Sequence, residues 1–470
     1  MGREGNRMTR RQWLRAMAMA GGAALVAAWG GTTPPAAQPA AQPAQGSDAA
    51  PPAQPQAVTR LSFMTPAALG LERTMYENFV LKFQEENPDI RIDISFEAWG
   101  DYHTKLPTML AGGVVPDVIH QHMSVVQDYG HKNALLDLSP FMQSDGVKSE
   151  DYIPALFNAF SDQGKVFALP KDSAAWGVYY NKTMFDEAGV AYPSNDWTLD
   201  DFQAIALELT RDEDGNPASS PRFDASRIKQ WGFTWMEPTP TASENAEGFV
   251  KARGGNWYNA GYSETLIHEP AAIEHFKMFA DMRCGQNSIP TPAQATGQGD
   301  PFRSGLTAMI VGFHTVNFFS VQENVRFDYD VTYMPSGPGG QFVPVRARGW
   351  AIPSQAKNPE ISWRFVKYLT SLDVQRYIGL QTRWGVSLRE AIDTIIPEGR
   401  KPEQFAMVHT DPLKGVSDRE VIAFKFPPQQ SRIREFYAAE FDGIWTCGGG
   451  SVETAAANVK AQVDELLGSL

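Results

Sequence analysis

The chain has 470 residues, 43% of them apolar and 20% charged, the balance of a soluble globular protein and not of a disordered, collagen-like or multi-spanning membrane chain. Its length accommodates two large domains or about three of ordinary size. Net charge is −13, and residues 58–470 hold 36 basic against 52 acidic residues, a net −16 that repels nucleic-acid phosphates and anionic lipid, so no nucleic-acid partner is expected. Cys284 and Cys447 are the only cysteines; they exclude a disulfide-stapled scaffold and a CxxC metal site but permit one bridge.

In chain order, Thr9-Arg10-Arg11-Gln12-Trp13-Leu14 precedes an uncharged run rich in Ala and Gly, Ala16 to Gly31. A basic stretch before a short, weakly apolar run reads as a targeting signal, too short and too small-residue-rich to anchor the chain. The paired arginines resemble the twin-arginine export signal, which implies twin-arginine export machinery as a partner. Leu25 to Gly31 is similar to a lipobox with Trp29 where the lipid-bearing Cys would stand, so no thioether anchor forms there. Residues 32–57, rich in Pro, Ala and Gln, cannot build a core and read as an extended spacer.

Arg60 to Met64 has strand character; Leu71, Met75, Phe79 and Phe83 recur at helical spacing until Asn87-Pro88. Ile90, Ile92, Ile94 and Phe96 alternate with polar residues as a strand does, a helix from Tyr102 to Ala111 ends at Gly112-Gly113, and Pro116 to Ile119 opens a third strand. Strand-helix alternation at this pitch predicts an α/β fold with a parallel or mixed sheet, whose ligands bind beyond the carboxyl ends of the strands. The apolar runs Lys165–Pro170 and Gly177–Tyr180, split by a polar stretch, read as a strand passing between two lobes. Helices are expected from Asn181 to Gly189, after a Thr198/Asp201 capping box, and from Ile361 to Leu372, the last following a strand-like Gly349–Pro353.

Four segments taken together resemble the extracellular solute-binding proteins of sugar-type ABC importers, the maltose-binding-protein-like superfamily. They are Leu106 to Val118; Gly164 to Lys171 continuing through Tyr180 to Phe185; Asp212 to Asn216 with Gln230 to Phe233; and Arg348 to Pro353 with Asn358-Pro359, Trp363 and Leu369. The resemblance spans residues 60 to 390 and is weaker from Ile395 to Leu470. It implies two α/β lobes, 58–172 plus about 345–385 and 173–344 plus about 386–470, joined by a multi-strand hinge. The solute would lie in the cleft between them, and closure would be read by transmembrane permease subunits. No cofactor, metal or catalytic step is implied.

A sugar presents apolar CH faces and outward hydroxyls, so its site pairs flat aromatics with carboxylates, amides and basic groups. Trp99 and Asp101, after the second strand, are the first such pair, although the same residues suit a helix start with Asp101 as cap. His120 and His122 share one face of an extended segment and could hydrogen-bond a hydroxyl or anion, or, with His103, ligate a metal. The resemblance further places Asp172, Ser173, Trp176 and Tyr179 at the hinge and cleft floor, with core packing the alternative for Trp176. In the second lobe Trp231, Trp235, Asn256 and Trp257 fall in Gly-rich loops, and Phe313-His314, Gly349-Trp350 and Arg383-Trp384 match segments that present side chains to the solute. Twelve tryptophans cannot all line one cleft.

Asp212 to Asn216 lacks the Gly and acid that a calcium loop requires and reads as a solvated acidic turn. No GxSxG, Walker loop, dinucleotide fingerprint or HExxH helix is present. Two other readings stay open: an exported carbohydrate-active enzyme using Glu97 and Asp101 as its carboxylates, and the same fold with a polyol phosphate, peptide or metal chelate, for which Arg348 or Arg383 could overrule the net negative charge.

Overall fold

A computed structural model describes residues 58–67, 70–235, 244–297, 300–313, 325–382, 385–395 and 404–469. The export-type segment with Trp29, the spacer, His314, Arg383 and Trp384 lie outside the described residues.

The alternating Ile90 to Phe96 pattern becomes a strand with Ile90 and Ile92 turned into a core. Strands β1 (Thr59–Pro66) and β2 (Ile90–Glu97) pair in parallel, Thr59 opposite Ile90 through Pro66 opposite Glu97. A parallel pair needs a crossover, supplied by the helix Gly70–Glu86, which buries Met75, Tyr76, Phe79, Val80 and Phe83. A second helix, Trp99–Gly112, stops at Gly113, whose φ of 71° suits glycine, and leads into β3 (Val118–His122), buried throughout. A small hairpin, β4 (Ser161–Asp162) and β5 (Lys165–Val166), precedes β6 (Leu169–Pro170).

The chain then changes sheets. β7 (Ala174–Asn181) is buried at all eight positions, as the unalternated apolar run requires, and forms the middle of a second sheet. That sheet gathers β8 (Arg211–Asp212), β9 (Ile228–Trp235), β10 (Thr307–Phe313), β11 (Tyr329–Thr332) and β12 (Phe342–Arg346). After β12 a single residue, Ala347, returns the chain to the first sheet as β13 (Arg348–Ala351), and β14 (Glu420–Ala423) completes the second. The strand orders are β2-β1-β3-β13-β6 and β14-β12-β7-β10-β9-β8, with β11 also on β7. The polar stretch seen in sequence is Lys171-Asp172-Ser173, one crossover, lying beside the other at Ala347: the Lys171 N–H donates to the Arg348 carbonyl at 2.8 Å. Ser173 in turn bridges to Gly385.

Local signals hold in detail. Asn181 caps the helix Lys182–Ala188, which ends at left-handed Gly189, and Thr198 and Asp201 form the reciprocal capping box of Leu199–Leu209. The helix expected over Ile361–Leu372 is two: Pro359–Leu369, then Leu372–Thr382. A Cβ at Gly232 would stand 1.8 Å from the Ala206 carbonyl, so only glycine lets β9 pack this closely on its helix.

One core lies under the first sheet and includes Phe63, Tyr76, Phe83, Trp350 and Phe365. A larger one starts on that sheet's other face, at Met64, Tyr102 and Ile119, and continues through the second sheet to the C-terminal helices Gln430–Trp445 and Val452–Gly468. Cys284 and Cys447 are disulfide-bonded, tying the turn after the helix Pro270–Ala280 to the end of Gln430–Trp445 across 163 residues of sequence. Sequence alone left that pairing open.

Candidate functional site

β1, β2, β3 and β6 run in one direction and β13 against them, so the carboxyl ends of the first four and the start of β13 share one edge of the first sheet. Glu97, His120, His122, Lys171, Asp172 and Arg348 belong to that edge, together with the first turns of the helices Gly70–Glu86 and Trp99–Gly112. Ligands of open α/β sheets bind at such an edge.

The floor is a buried charge cluster built on the two crossovers. Asp172, 4% exposed, accepts from Arg348 Nε at 2.7 Å and from the Arg348 backbone N–H at 3.0 Å, with Arg348 Nη2 at 2.6 Å from the same carboxylate. Lys171 Nζ is 3.7 Å from Asp172, hydrogen-bonds the Tyr76 hydroxyl, and lies 4.6 Å from the centre of the Trp350 ring. Glu72, on the Gly70–Glu86 helix, interacts electrostatically with Arg348 and Lys171. Burial, and then Arg348, push Lys171 down to about 7; burial also raises Glu72, with Arg348 and Lys171 opposing. Burial works against the Arg348 charge, but Asp172 and Glu72 more than offset it, and Arg348 in turn holds the buried Asp172 below the usual carboxylate range.

Above this floor stands an aromatic and imidazole cluster. Trp99, 40% exposed, has its ring centre 4.4 Å from His103, 5.6 Å from His120 and 5.9 Å from His122. His120 is fully buried and neither ring nitrogen has a hydrogen-bond partner among the described residues. His122 Nε2 is 2.7 Å from Arg346 Nη2. A guanidinium only donates, and on the other side of the ring Nδ1 accepts the Ser124 backbone N–H at 3.1 Å, capping the helix Met123–His131, and lies 2.8 Å from Ser124 Oγ. Asp101 is exposed in the first helical turn, without a side-chain cap at that end, and Glu97 is paired with Lys105 at 2.7 Å.

All three imidazoles are held neutral. Burial, then Arg346 and Arg434, bring His103 down to about 4; burial, then Lys171, lowers His120 well below the usual histidine value, and burial, then Arg346, does the same for His122. Between those lowered values and about 6.5 the unfolded chain binds protons that the folded one does not, so stability is intact above pH 6.5 and falls as pH drops below it. We expect unfolding midpoints in urea to decline from pH 6.5 to 5, by at most about 1.4 kcal/mol per pH unit for each histidine, and His103→Gln to flatten the slope. A midpoint constant over that range would show that the folded protein takes up these protons.

The other expected residues are placed differently. Trp176 and Tyr179 are buried in β7, and the Tyr179 hydroxyl is spent on His409 Nε2 at 2.9 Å. Trp235 ends β9 among Phe233, Phe249 and Phe279, while Trp257 is buried against His275 and Phe276. Asn256 is exposed and accepts from Lys251 at 2.9 Å. Trp350 packs edge-on to Phe63 and Tyr76 in the first core, and at Gly349 a Cβ would meet the Leu169 carbonyl at 2.8 Å, so this glycine serves the β13–β6 approach. The expectation that Trp176, Trp235, Trp257 and Trp350 offer open faces is thus corrected: Trp176, Trp235 and Trp350 lie in strands whose large rings pack inward, and Trp257, in a Gly-rich loop, packs on the helix Pro270–Ala280. Phe313 ends β10 opposite Trp176.

Glu72, Lys171, Arg346 and Arg434 were missed by sequence reasoning. Lys171-Asp172 adjoining a crossover was a usable signal; nothing in sequence tied Glu72 or Arg434, which are 99 and 262 residues from it, to the same place. Among the described residues no cluster of His, Cys, Asp or Glu could hold a metal.

Two lobes of mixed α/β sheet joined by adjacent crossovers, with a polar ligand edge on the first, define a substrate-binding protein fold. The family model for bacterial extracellular solute-binding proteins matches residues 70–376, and the chain belongs to that family. It is 24% identical over 322 residues, 66% of this chain and 69% of the relative, to a maltooligosaccharide ABC transporter solute-binding lipoprotein of Streptococcus pneumoniae. Its fold matches an ABC substrate-binding protein of Listeria monocytogenes solved with cycloalternan (TM-score 0.73, 22% identity, 87% of this chain and 99% of that one). It also matches the maltose/maltodextrin-binding domain of Bdellovibrio bacteriovorus bound to maltotriose (0.68, 15%, 87% and 100%). The family is extracytoplasmic, and a disulfide is stable in such an oxidising compartment.

Proposed function

We propose that the protein is the solute-capturing subunit of an ABC importer, holding a sugar or oligosaccharide between its lobes and presenting the closed form to permease subunits without a chemical step. The carrying observation is Trp99: an indole left 40% exposed over three neutral imidazoles at the ligand edge of the first sheet is a platform for a sugar's CH face, with hydrogen-bonding groups beside it. The ligands named for the relatives, maltooligosaccharide, cycloalternan and maltotriose, support a saccharide. The lobes would divide at Asp172 and near residues 345 and 385, so that closure bends the Lys171–Ser173 and Ala347 crossovers. Twin-arginine export through Arg10-Arg11 would deliver the folded chain with its disulfide to the outer face.

A thermal-shift panel of mono- and oligosaccharides tests this. A ligand at a hundredfold over its dissociation constant adds about 2.7 kcal/mol of stability, and the saccharide should be recovered intact; a cleaved one would instead mark an enzyme. Trp99→Ala should weaken the best hit about tenfold and leave the melting temperature of the unliganded protein nearly unchanged, because the ring is half outside the core. Unchanged affinity would remove Trp99 from the site.

A further inference from the structure

A cavity of about 410 Å³ opens between elements of the two sheets. One wall is formed by the helix Met123–His131, which follows β3, and by the β4–β5 hairpin; the other by residues 260–263 and by residues 425–428, which follow β14. Its described lining includes none of the residues placed at the ligand edge of the first sheet, and His131 stands about 12 Å along a helix that leaves that edge.

The walls carry two chemistries. Asp162, from the hairpin, is 3.0 Å from His131 Nε2 and 3.7 Å from Lys425 Nζ, and Lys425 also donates to the Ser161 carbonyl at 3.2 Å. Gln127, 6% exposed, spends its Nε2 on the Ala159 carbonyl at 3.0 Å, while its Oε1 has no partner among the described residues. The other wall brings rings: Phe426, buried with its centre 4.6 Å from that of Phe424, and Tyr262, 5.9 Å from Tyr258. Tyr262 has a φ of 55°, in the left-handed region that a bulky residue occupies only where its surroundings impose it.

Apolar rings facing a few convergent polar groups, in a cavity of this size, are the usual composition of a small-molecule site. Charge decides the class of ligand. The carboxylate of Asp162 already has Lys425 and His131 beside it, so an ionised ligand gains no unpaired counter-charge, whereas a hydroxyl both donates and accepts. We infer that this cavity is a second binding site, for a small neutral polyol or monosaccharide, with its CH face on Tyr262 and Phe426 and its hydroxyls on Asp162, Lys425 and Gln127. The inference goes beyond solute capture at Trp99 and does not rest on it.

The test is calorimetric titration of the protein with myo-inositol, glucose and glycerol, and with glucosamine and glucuronate as charged counterparts. At least one neutral probe should bind with an affinity that Trp99→Ala leaves unchanged. Ala260→Trp, which places an indole in the cavity from an exposed loop position, should weaken that probe at least tenfold with the melting temperature of the unliganded protein unchanged. Asp162→Asn should weaken it about tenfold. If none of the neutral probes binds, or if every one that binds is lost with Trp99→Ala and kept by Ala260→Trp, the second site falls and the reading of the Trp99 edge is untouched. Glucosamine or glucuronate binding tenfold tighter than glucose in a manner sensitive to Ala260→Trp would overturn the neutral class.

Discussion

Replacing Asp172 by Ala should destabilise the folded protein by about 3–5 kcal/mol, the range for breaking a buried ion pair by removing one partner. The carboxylate is 4% exposed and is the direct counter-charge of both Arg348 and Lys171. Without it the two cations keep Glu72 as a nearby carboxyl, and that group is itself raised by burial. Lys171, pushed down to about 7, can shed its proton and relieve part of the cost, so the loss should be larger at pH 6 than at pH 8.5. Urea unfolding at the two pH values measures this. The double variant Asp172→Ala, Arg348→Met should recover much of the single loss, because it removes the stranded charge with the partner. A single-variant loss under 1 kcal/mol at both pH values would mean that water screens the cluster and that it does not hold the crossovers together.

Reducing the Cys284–Cys447 bond should have an effect of similar size. The bond closes 163 residues of chain, for which loss of unfolded-state entropy predicts about 5 kcal/mol, with about 2–5 typical of native bridges in small secreted domains. Because it joins the Pro270–Ala280 region to the end of Gln430–Trp445, it limits escape of the helix that carries Arg434. Cys284→Ser with Cys447→Ser, or reduction by dithiothreitol, should lower the unfolding midpoint and expose the C-terminal helices to proteolysis first. Equal midpoints for the oxidised and reduced protein would show that the C-terminal segment is held by its apolar face alone.

Much of the fold was legible because its signals are local. The period of two in Ile90–Phe96, the Thr198/Asp201 box and the glycine stops at 113 and 189 each depend on residues a few positions apart, and each appears in the structure. The strand-helix alternation and the segments from Leu106 to Trp363 were enough to anticipate the two-lobed α/β class. The helix read over Ile361–Leu372 runs past the observed end at Leu369 because Leu372, which opens the next helix, continues its apolar spacing across the break at Thr370-Ser371.

The site was legible only in part, for a reason that separates its aromatics from its charges. Trp99 follows a clean strand, so its place at the sheet edge follows from periodicity, whereas Trp176, Trp257 and Trp350 look alike in sequence and are sorted from it only by which face packs. Local pattern by itself determined the first strands and helices, the Thr198/Asp201 box and the Trp99 position, since each is set by neighbours along the chain. The tertiary structure alone decided that Cys284 meets Cys447 and that Glu72, Lys171, Asp172 and Arg348 share one buried cluster, because the net energies of such contacts depend on distance and burial that sequence separation does not encode.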